Sequence, residues 1–323
     1  MSVRFAFTDD QLLLADALRD LLATECTPAA VRACWDDRSG HLPGLWRHLA
    51  EMGVLGMLIP EADGGMGGSM VDAVLLAQEL GRRAVPGPVL ETMAVAGPAL
   101  ASTAWAGGLA DGSLVATASV DGSPYVPHAH VADLVLIPTG VTLLDGAQLH
   151  DVDGIDGGRR LFQVEGGVVE SLDLDLDAAF ERGAVATAAY LIGLSEQMID
   201  AAAEYARQRT QFGAPIGTFQ AVKHLLADAL LKVEFAKAPT YRAAWSLATG
   251  APSAPRDVSL AKAFASEAAY RTSRSTMQVH GAIGYTWEAD LHLWMKKAWA
   301  LMRAYGDATW HRRRVGAAVL GDS

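Results

Sequence analysis

Two hydrophobic periodicities alternate along the chain, and the change from one to the other divides it into three parts. Ala188, Leu191, Ile192, Ser195, Met198, Ile199, Ala202 and Tyr205 recur at three- and four-residue steps, which predicts one buried face of a long helix. It is the first of four helical stretches expected after about Leu174, over 180–209, 219–248, 256–278 and 289–320, with connections short enough for an antiparallel bundle. Between 113 and 172 the pattern shortens to apolar runs at 114–120, 134–137, 141–144 and 161–164, separated by Gly, Pro and Asp, which predicts a small β domain. Asp145-Gly146 reads as its hairpin turn. The expected organisation is therefore α+β and mostly α: a helical domain at 1–112, the β domain at 113–172 and a four-helix bundle at 173–323.

Composition narrows what such a chain can do. Hydrophobic residues make up 51% of it but aromatics only 7%, so its alanine-rich helices can pack closely. A length of 323 residues suffices for two or three domains. A formal net charge of -11, with no basic stripe to offset it, argues against nucleic acid or an anionic membrane as partner. The two cysteines, Cys26 and Cys34, form no metal or redox motif and suggest ordinary thiols in a reducing compartment. Helix signals at Thr8, Asp9 and Asp10 in place of a signal peptide, and apolar runs too short to span a bilayer, lead us to expect a cytoplasmic location.

The densest chemistry lies where the first bundle helix ends. Arg207 and Arg209 suit a helix C-terminus, Gly213, Pro215 and Gly217 break the helix, and Thr218 is the expected N-cap of the next. An arginine at that corner can hold a carboxylate or phosphate bidentately, or pair with an acidic side chain of its own chain while Phe212 fills a core. The run Arg209-Thr210-Gln211-Phe212-Gly213-Ala214-Pro215-Ile216, followed by Gln220, resembles the Arg-x-x-Phe-Gly-x-x-Ile-x-x-x-Gln signature of the acyl-CoA dehydrogenases. Gln278-Val279-His280-Gly281-Ala282-Ile283-Gly284-Tyr285 is similar to that family's Gln-x-x-Gly-Gly-x-Gly-Tyr segment, with Ala282 in place of the second glycine. A third likeness, to the opening helical domain, covers the segment from Leu49 through Gly56, Ile59-Pro60-Glu61, the glycines from Gly64 to Gly68, and Glu79-Leu80-Gly81. The Gly64 to Gly68 cluster lacks the ending of a phosphate loop and is expected to be a flexible connection.

The resemblance implies FAD, an acyl-CoA thioester substrate dehydrogenated at Cα and Cβ, and electron-transfer flavoprotein as acceptor. It also implies a carboxylate base near the α-proton, on the face opposite the flavin. Neither family position for that base holds a glutamate here: the C-terminal one falls on Gly306 and the alternative on Gly183. Asp307 is one residue from the first and Glu181 two from the second, but a one-residue slip on a helix turns a side chain by ~100°. Other roles suit them: Glu181 as a first-turn helix carboxylate, Asp307 as a turn residue or a partner of Arg303 or Arg312. The middle domain lacks the Thr-Glu-Pro element that meets the flavin ring, the nearest text being Thr117-Ala118-Ser119. His128 and His130 have no third metal ligand and read as exposed loop residues, so no metal is expected.

These omissions share a pattern. In the family one subunit holds the flavin ring and base, while its neighbour reaches the pyrophosphate and adenine. Here only the neighbour's half is kept. The chain thus resembles the smaller, degenerate subunit of the heteromeric acyl-CoA dehydrogenases of actinobacterial steroid degradation, which implies an α2β2 assembly with a catalytic partner. On that reading Arg209, Gln211, Phe212, Gln220, Gln278, Gly281 and Ala282 contact the partner's FAD. Two other readings stay open: a self-sufficient homo-oligomeric dehydrogenase with Asp307 or Glu181 as displaced base, and a non-enzymatic acyl-CoA-binding or scaffold protein.

Overall fold

Thr8 and Ser69 each open a helix through a capping box, and Thr27 caps a third through its hydroxyl. In the computed structural model, which describes residues 6–321, the N-terminal helices are α1 (Asp9–Glu25), α2 (Pro28–Asp36), α3 (Pro43–Glu51) and α4 (Met70–Arg82). A π-helical stretch at Glu91–Ala96 runs into the short α5 (Gly97–Ala99), and α6 (Ala106–Ala110) closes this part. The Gly64 to Gly68 loop is pinned, contrary to the flexibility expected of it. The amides of Gly65, Met66, Gly67 and Gly68 donate to carbonyls of Pro60, Gly56, Ile59 and Met57 at 2.8–3.0 Å.

The strands of the middle part form two small sheets. β1 (Ala116–Ala118), β3 (Leu134–Ile137), β4 (Gly140–Leu143) and β7 (Val168–Ser171) lie in the order β1-β3-β4-β7, with only the first pair parallel. β2 (Val126–Pro127), β5 (Gln148–Val152) and β6 (Leu161–Glu165) form an antiparallel sheet in the order β2-β6-β5. Asp145-Gly146 therefore joins two sheets and closes no hairpin; the two-residue hairpin loop is Pro138-Thr139, where Ile137 pairs with Gly140. The first predicted run shrinks to three residues because Leu114 and Val115 lead in from a turn.

The bundle contains α7 (Leu176–Gln208), a hairpin of β8 (Thr210–Gln211) and β9 (Ala214–Pro215), α8 (Gln220–Ala248), α9 (Ala254–His280), α10 (Leu291–Leu301) and α11 (Ala308–Leu320). α7 is the central element: nearly every residue from Gly183 to Glu196 is buried, beyond the single face expected. It crosses α4 at backbone contact. A Cβ on Gly193 would lie 1.9 Å from the Gln78 carbonyl oxygen, and one on Gly81 would lie 2.1 Å from that of Tyr190. α8 starts at Gln220 with no side-chain cap, and the Thr218 hydroxyl instead donates to the Pro215 carbonyl at 2.7 Å. The expected single helix over 289–320 is two, because Tyr305 and Gly306 adopt left-handed backbone angles, φ 54° and 86°. The break sets the Tyr305 ring against the first turns of α7, at Phe180 and Gly183.

Candidate functional site

A small apolar cluster fastens the end of α7 to the ends of two other helices. Ala202, Ala206 and Val279 are buried there, with Ile216, Val222, Leu225 and Leu226 packed against them. Tyr205 stacks on His280 with ring centroids 4.6 Å apart, and the Ile216 amide donates to the Arg209 carbonyl at 2.8 Å. These contacts bring the C-terminus of α7, the β8–β9 hairpin, the start of α8 and the end of α9 to one corner.

The predicted cofactor residues all lie on the open side of that corner. Arg209, Gln211, Phe212, Gln220, Gln278 and Ala282 are exposed, and Gly281 is half-buried. Phe212 is 94% exposed at the hairpin tip, with the Phe219 ring edge-on to it at 6.2 Å. It does not fill a core. Among the described residues no acidic side chain pairs with Arg209, and the side-chain amides of Gln211, Gln220 and Gln278 have no partner. Gly281 has φ 62° and open space where a Cβ would point. Such a surface has donors to spare: a guanidinium fork, three amides and the uncapped N-terminus of α8. That donor set fits a pyrophosphate and an adenine edge, the parts of FAD that the resemblance implies for it.

The two positions where the resemblance places a base, Gly183 and Gly306, meet elsewhere, and both are closed. A Cβ on Gly183 would lie 2.4 Å from the Tyr305 ring, and one on Gly306 would lie 2.8 Å from the Trp310 ring and 3.0 Å from His311 Nε2. Phe180 completes the plug, edge-on to Tyr305 at 6.0 Å and to Trp310 at 5.5 Å. His311 lies 2.8 Å from the Tyr305 carbonyl through Nε2, and burial pushes its imidazole down to about 4. Being neutral, it must carry its proton on Nε2, since a carbonyl only accepts.

Each displaced carboxylate makes a local contact of its own. Asp307 caps α11 by accepting the Trp310 amide at 2.8 Å, and that bond holds its carboxyl below the ordinary range. Arg312 pairs with Glu267 instead, at 2.6 Å. Glu181 is buried and its Oε1 pairs with Arg314 of α11; burial outweighs the arginine and raises its carboxyl.

Sequence reasoning missed the residue that fastens the break. Lys262 is fully buried on α9, and its ammonium donates to the carbonyls of Gly306 at 3.0 Å and Met302 at 3.2 Å and to Ser266 Oγ at 3.3 Å. Burial lowers its pKa to about 7. A signal was present: Val258, Lys262, Ala265, Ala269 and Thr272 follow the helical period of one buried stripe. His128, expected in solvent, is buried, and burial drives its pKa well down; His130 is half-buried and stacks on Phe162 at 4.9 Å. Among the described residues no group of three or more His, Cys, Asp or Glu is placed to hold a metal ion. Both cysteines are free and buried, and no described helix is long and apolar enough to cross a membrane.

Helices, small β layers and a helical bundle in this order, with an open arginine corner, define a class of flavoprotein dehydrogenase fold. Residues 8–106 match the profile of the acyl-CoA dehydrogenase N-terminal domain, and residues 175–320 that of the acyl-CoA dehydrogenase C-terminal domain. The chain belongs to the acyl-CoA dehydrogenase family. It is 34% identical over 318 residues to acyl-CoA dehydrogenase IpdE2 of Mycolicibacterium smegmatis, covering 97% of this chain and 100% of that protein. The IpdE2 of Mycobacterium tuberculosis is 36% identical over 90% of this chain and 91% of its own length. Among solved structures, a chain of the ChsE4-ChsE5 complex from Mycobacterium tuberculosis superposes with a TM-score of 0.87 at 25% identity, covering 99% of this chain and 100% of that one.

Proposed function

We propose that this chain is the non-catalytic subunit of an FAD-dependent acyl-CoA dehydrogenase. It offers the Arg209 corner to the pyrophosphate and adenine of a flavin whose ring, together with the base, belongs to a partner subunit. The observation that carries this reading is a contrast within one molecule: a donor-rich corner left open and unpaired, and two base positions that are glycines under aromatic rings. Arg209 would hold the pyrophosphate, Gln220 and Gln278 would offer amides to the adenylate end, and Phe212 would pack on the cofactor. FAD bound in this way supplies the hydride acceptor for oxidation of an acyl-CoA thioester, and electron-transfer flavoprotein is the proposed acceptor of its electrons. An α2β2 assembly in the cytoplasm follows from the same reading. Two relatives support it: IpdE2, matched over its full length, and a structural neighbour that is part of a two-protein complex.

Co-expression with a dehydrogenase-like protein encoded beside it, followed by native mass and the flavin-to-chain ratio, tests the proposal. One FAD per two chains is expected, and one per chain would overturn it. Substituting the candidate bases separates the self-sufficient alternative. Asp307→Asn and Glu181→Gln leave turnover of the assembled enzyme intact here, and abolish it if either is the base.

A further inference from the structure

Most of the protein's acids and most of its bases lie in different parts of the chain. Residues 1–208 carry 29 aspartates and glutamates against 11 lysines and arginines, whereas residues 209–323 carry 15 lysines and arginines against 8 acids. The formal charge of -11, read from the sequence as having no basic stripe to offset it, conceals a bundle with a surplus of cations.

The outer groove between α8 and α9 sets part of that surplus beside exposed apolar side chains. Arg242 and Ser246 of α8 bond Asp257 of α9 at 3.2 and 2.7 Å, which fixes the register of the antiparallel pair. One heptad from Arg242 and Asp257, towards the flavin corner, Phe235 stands level with Phe264, and one heptad further Asp228 stands level with Arg271. Phe235 is 63% exposed, Phe264 46%, and Leu231, one turn from Phe235, 54%. Among the described residues, Lys223, Lys232, Arg271 and Arg274 are exposed and in no ion pair, and Asp228 is the one exposed acid of these two helices without a basic partner. The groove therefore combines aromatic and aliphatic anchors with a net excess of free cations, the composition of a recognition surface. It also leads into the flavin corner, since α8 starts at Gln220 and α9 ends at His280, just past Gln278. From Gln220 to Phe235 is about 22 Å along the helix. One interface of standard size, roughly 800 Å² on each partner, spans both.

We propose that the outer groove of α8 and α9 is a docking surface for the catalytic partner subunit, which meets it with apolar side chains over Leu231, Phe235 and Phe264 and with carboxylates towards Arg271 and Arg274. The inference rests on the proposed function for the existence of that partner. A second copy of this chain fits the groove poorly. A two-fold contact sets Arg271 and Arg274 against the same residues of the other copy, and a contact with that copy's acidic part is head-to-tail and does not close in a pair. The cations that attract the partner thus also select a heteromer over a homomer.

The test measures association of the full-length chain with the co-expressed dehydrogenase-like protein, by native mass and by titration of the separated subunits. Raising NaCl from about 50 mM to about 500 mM should weaken association at least about tenfold. Leu231→Ser/Phe235→Ser and Arg271→Glu/Arg274→Glu should each weaken it at least about tenfold, while thermal unfolding of the isolated chain stays unchanged because these side chains are exposed. Arg271→Lys/Arg274→Lys keeps the charge and should lose less than the glutamate pair. Unchanged association in either of the first two variants overturns the proposal. So does a dimer of the natural chain alone that Leu231→Ser/Phe235→Ser dissolves, since a second copy would then occupy the groove. The flavin count on the same complex keeps the two ideas apart. One FAD per chain refutes the proposed function, whereas one per two chains, with association indifferent to both variants, refutes this surface alone. If no complex forms at either salt concentration, both fall.

Discussion

Replacing Lys262 with Met should change how stability depends on pH, and the size of the change follows from the environment of its ammonium. The side chain is fully buried with no carboxylate in contact, and burial brings its pKa from the ordinary 10.5 to about 7. Below pH 7 the native state carries a buried charge that the unfolded chain holds in water, and the penalty is full. Between about 7 and 10.5 the unfolded chain binds the extra proton, so stability rises with pH by up to about 1.4 kcal/mol per pH unit. From about pH 6.5 to about pH 9 this amounts to roughly 2–3 kcal/mol. Lys262→Met removes that slope and leaves the carbonyls of Met302 and Gly306 without their donor, costing about 1–3 kcal/mol at each. Urea unfolding of both proteins across this pH range reads the effect. The stability of the natural protein relative to the variant should climb steadily with pH. Parallel profiles would refute the argument, because they would mean that Lys262 stays charged in the folded state or is reached by water.

Two further outcomes concern the corner and the closed positions. Arg209→Ala and Phe212→Ala remove side chains with no ion pair or core role, so unfolding should shift by no more than about 0.5 kcal/mol, while flavin in the co-purified assembly falls sharply; unchanged flavin content would remove the corner from the site. Gly183→Glu and Gly306→Glu should not restore catalysis to the isolated chain. The first drives a Cβ into the Tyr305 ring, and the second adds a left-handed backbone penalty of about 1–2 kcal/mol to a clash with Trp310. Dye reduction with acyl-CoA substrates should stay at background for both, and turnover by either would show that the aromatic plug yields.

The periodic signals in the sequence locate α7, α8 and α9 to within a few residues, since each keeps a helical stripe of buried small residues over many turns. What the sequence hides is local. β5 and β7 have no apolar alternation because their side chains are largely exposed, so they are invisible beside β3. The break at Tyr305 and Gly306 is disguised because apolar residues continue on both sides of it, and contacts distant in sequence hold it, Lys262 on the carbonyls of Met302 and Gly306 and Asp121 on the Tyr305 amide. The corner residues are legible as motifs. That they point outward unpaired is not, because exposure depends on which helices end together. His128 misleads for a related reason: a loop histidine is normally solvated, but this one is enclosed beside Val89, Tyr190 and Lys297 of the helical parts.

The shape of the corner bears on how the proposed enzyme holds its cofactor. Sites that retain a ligand of this size bury most of its surface. The Arg209 corner, by contrast, is open, with Phe212 almost wholly in solvent. On its own it offers charge and donors but little burial, so FAD gains strong binding only when a second surface closes over it. Flavin affinity and subunit association are then two sides of one coupling free energy, and whatever factor the partner adds to flavin binding, flavin adds to partner binding. Dilution that separates the subunits should release the cofactor, and excess FAD should hold them together. A self-contained dehydrogenase, with a pocket complete within its own chain, would show neither dependence.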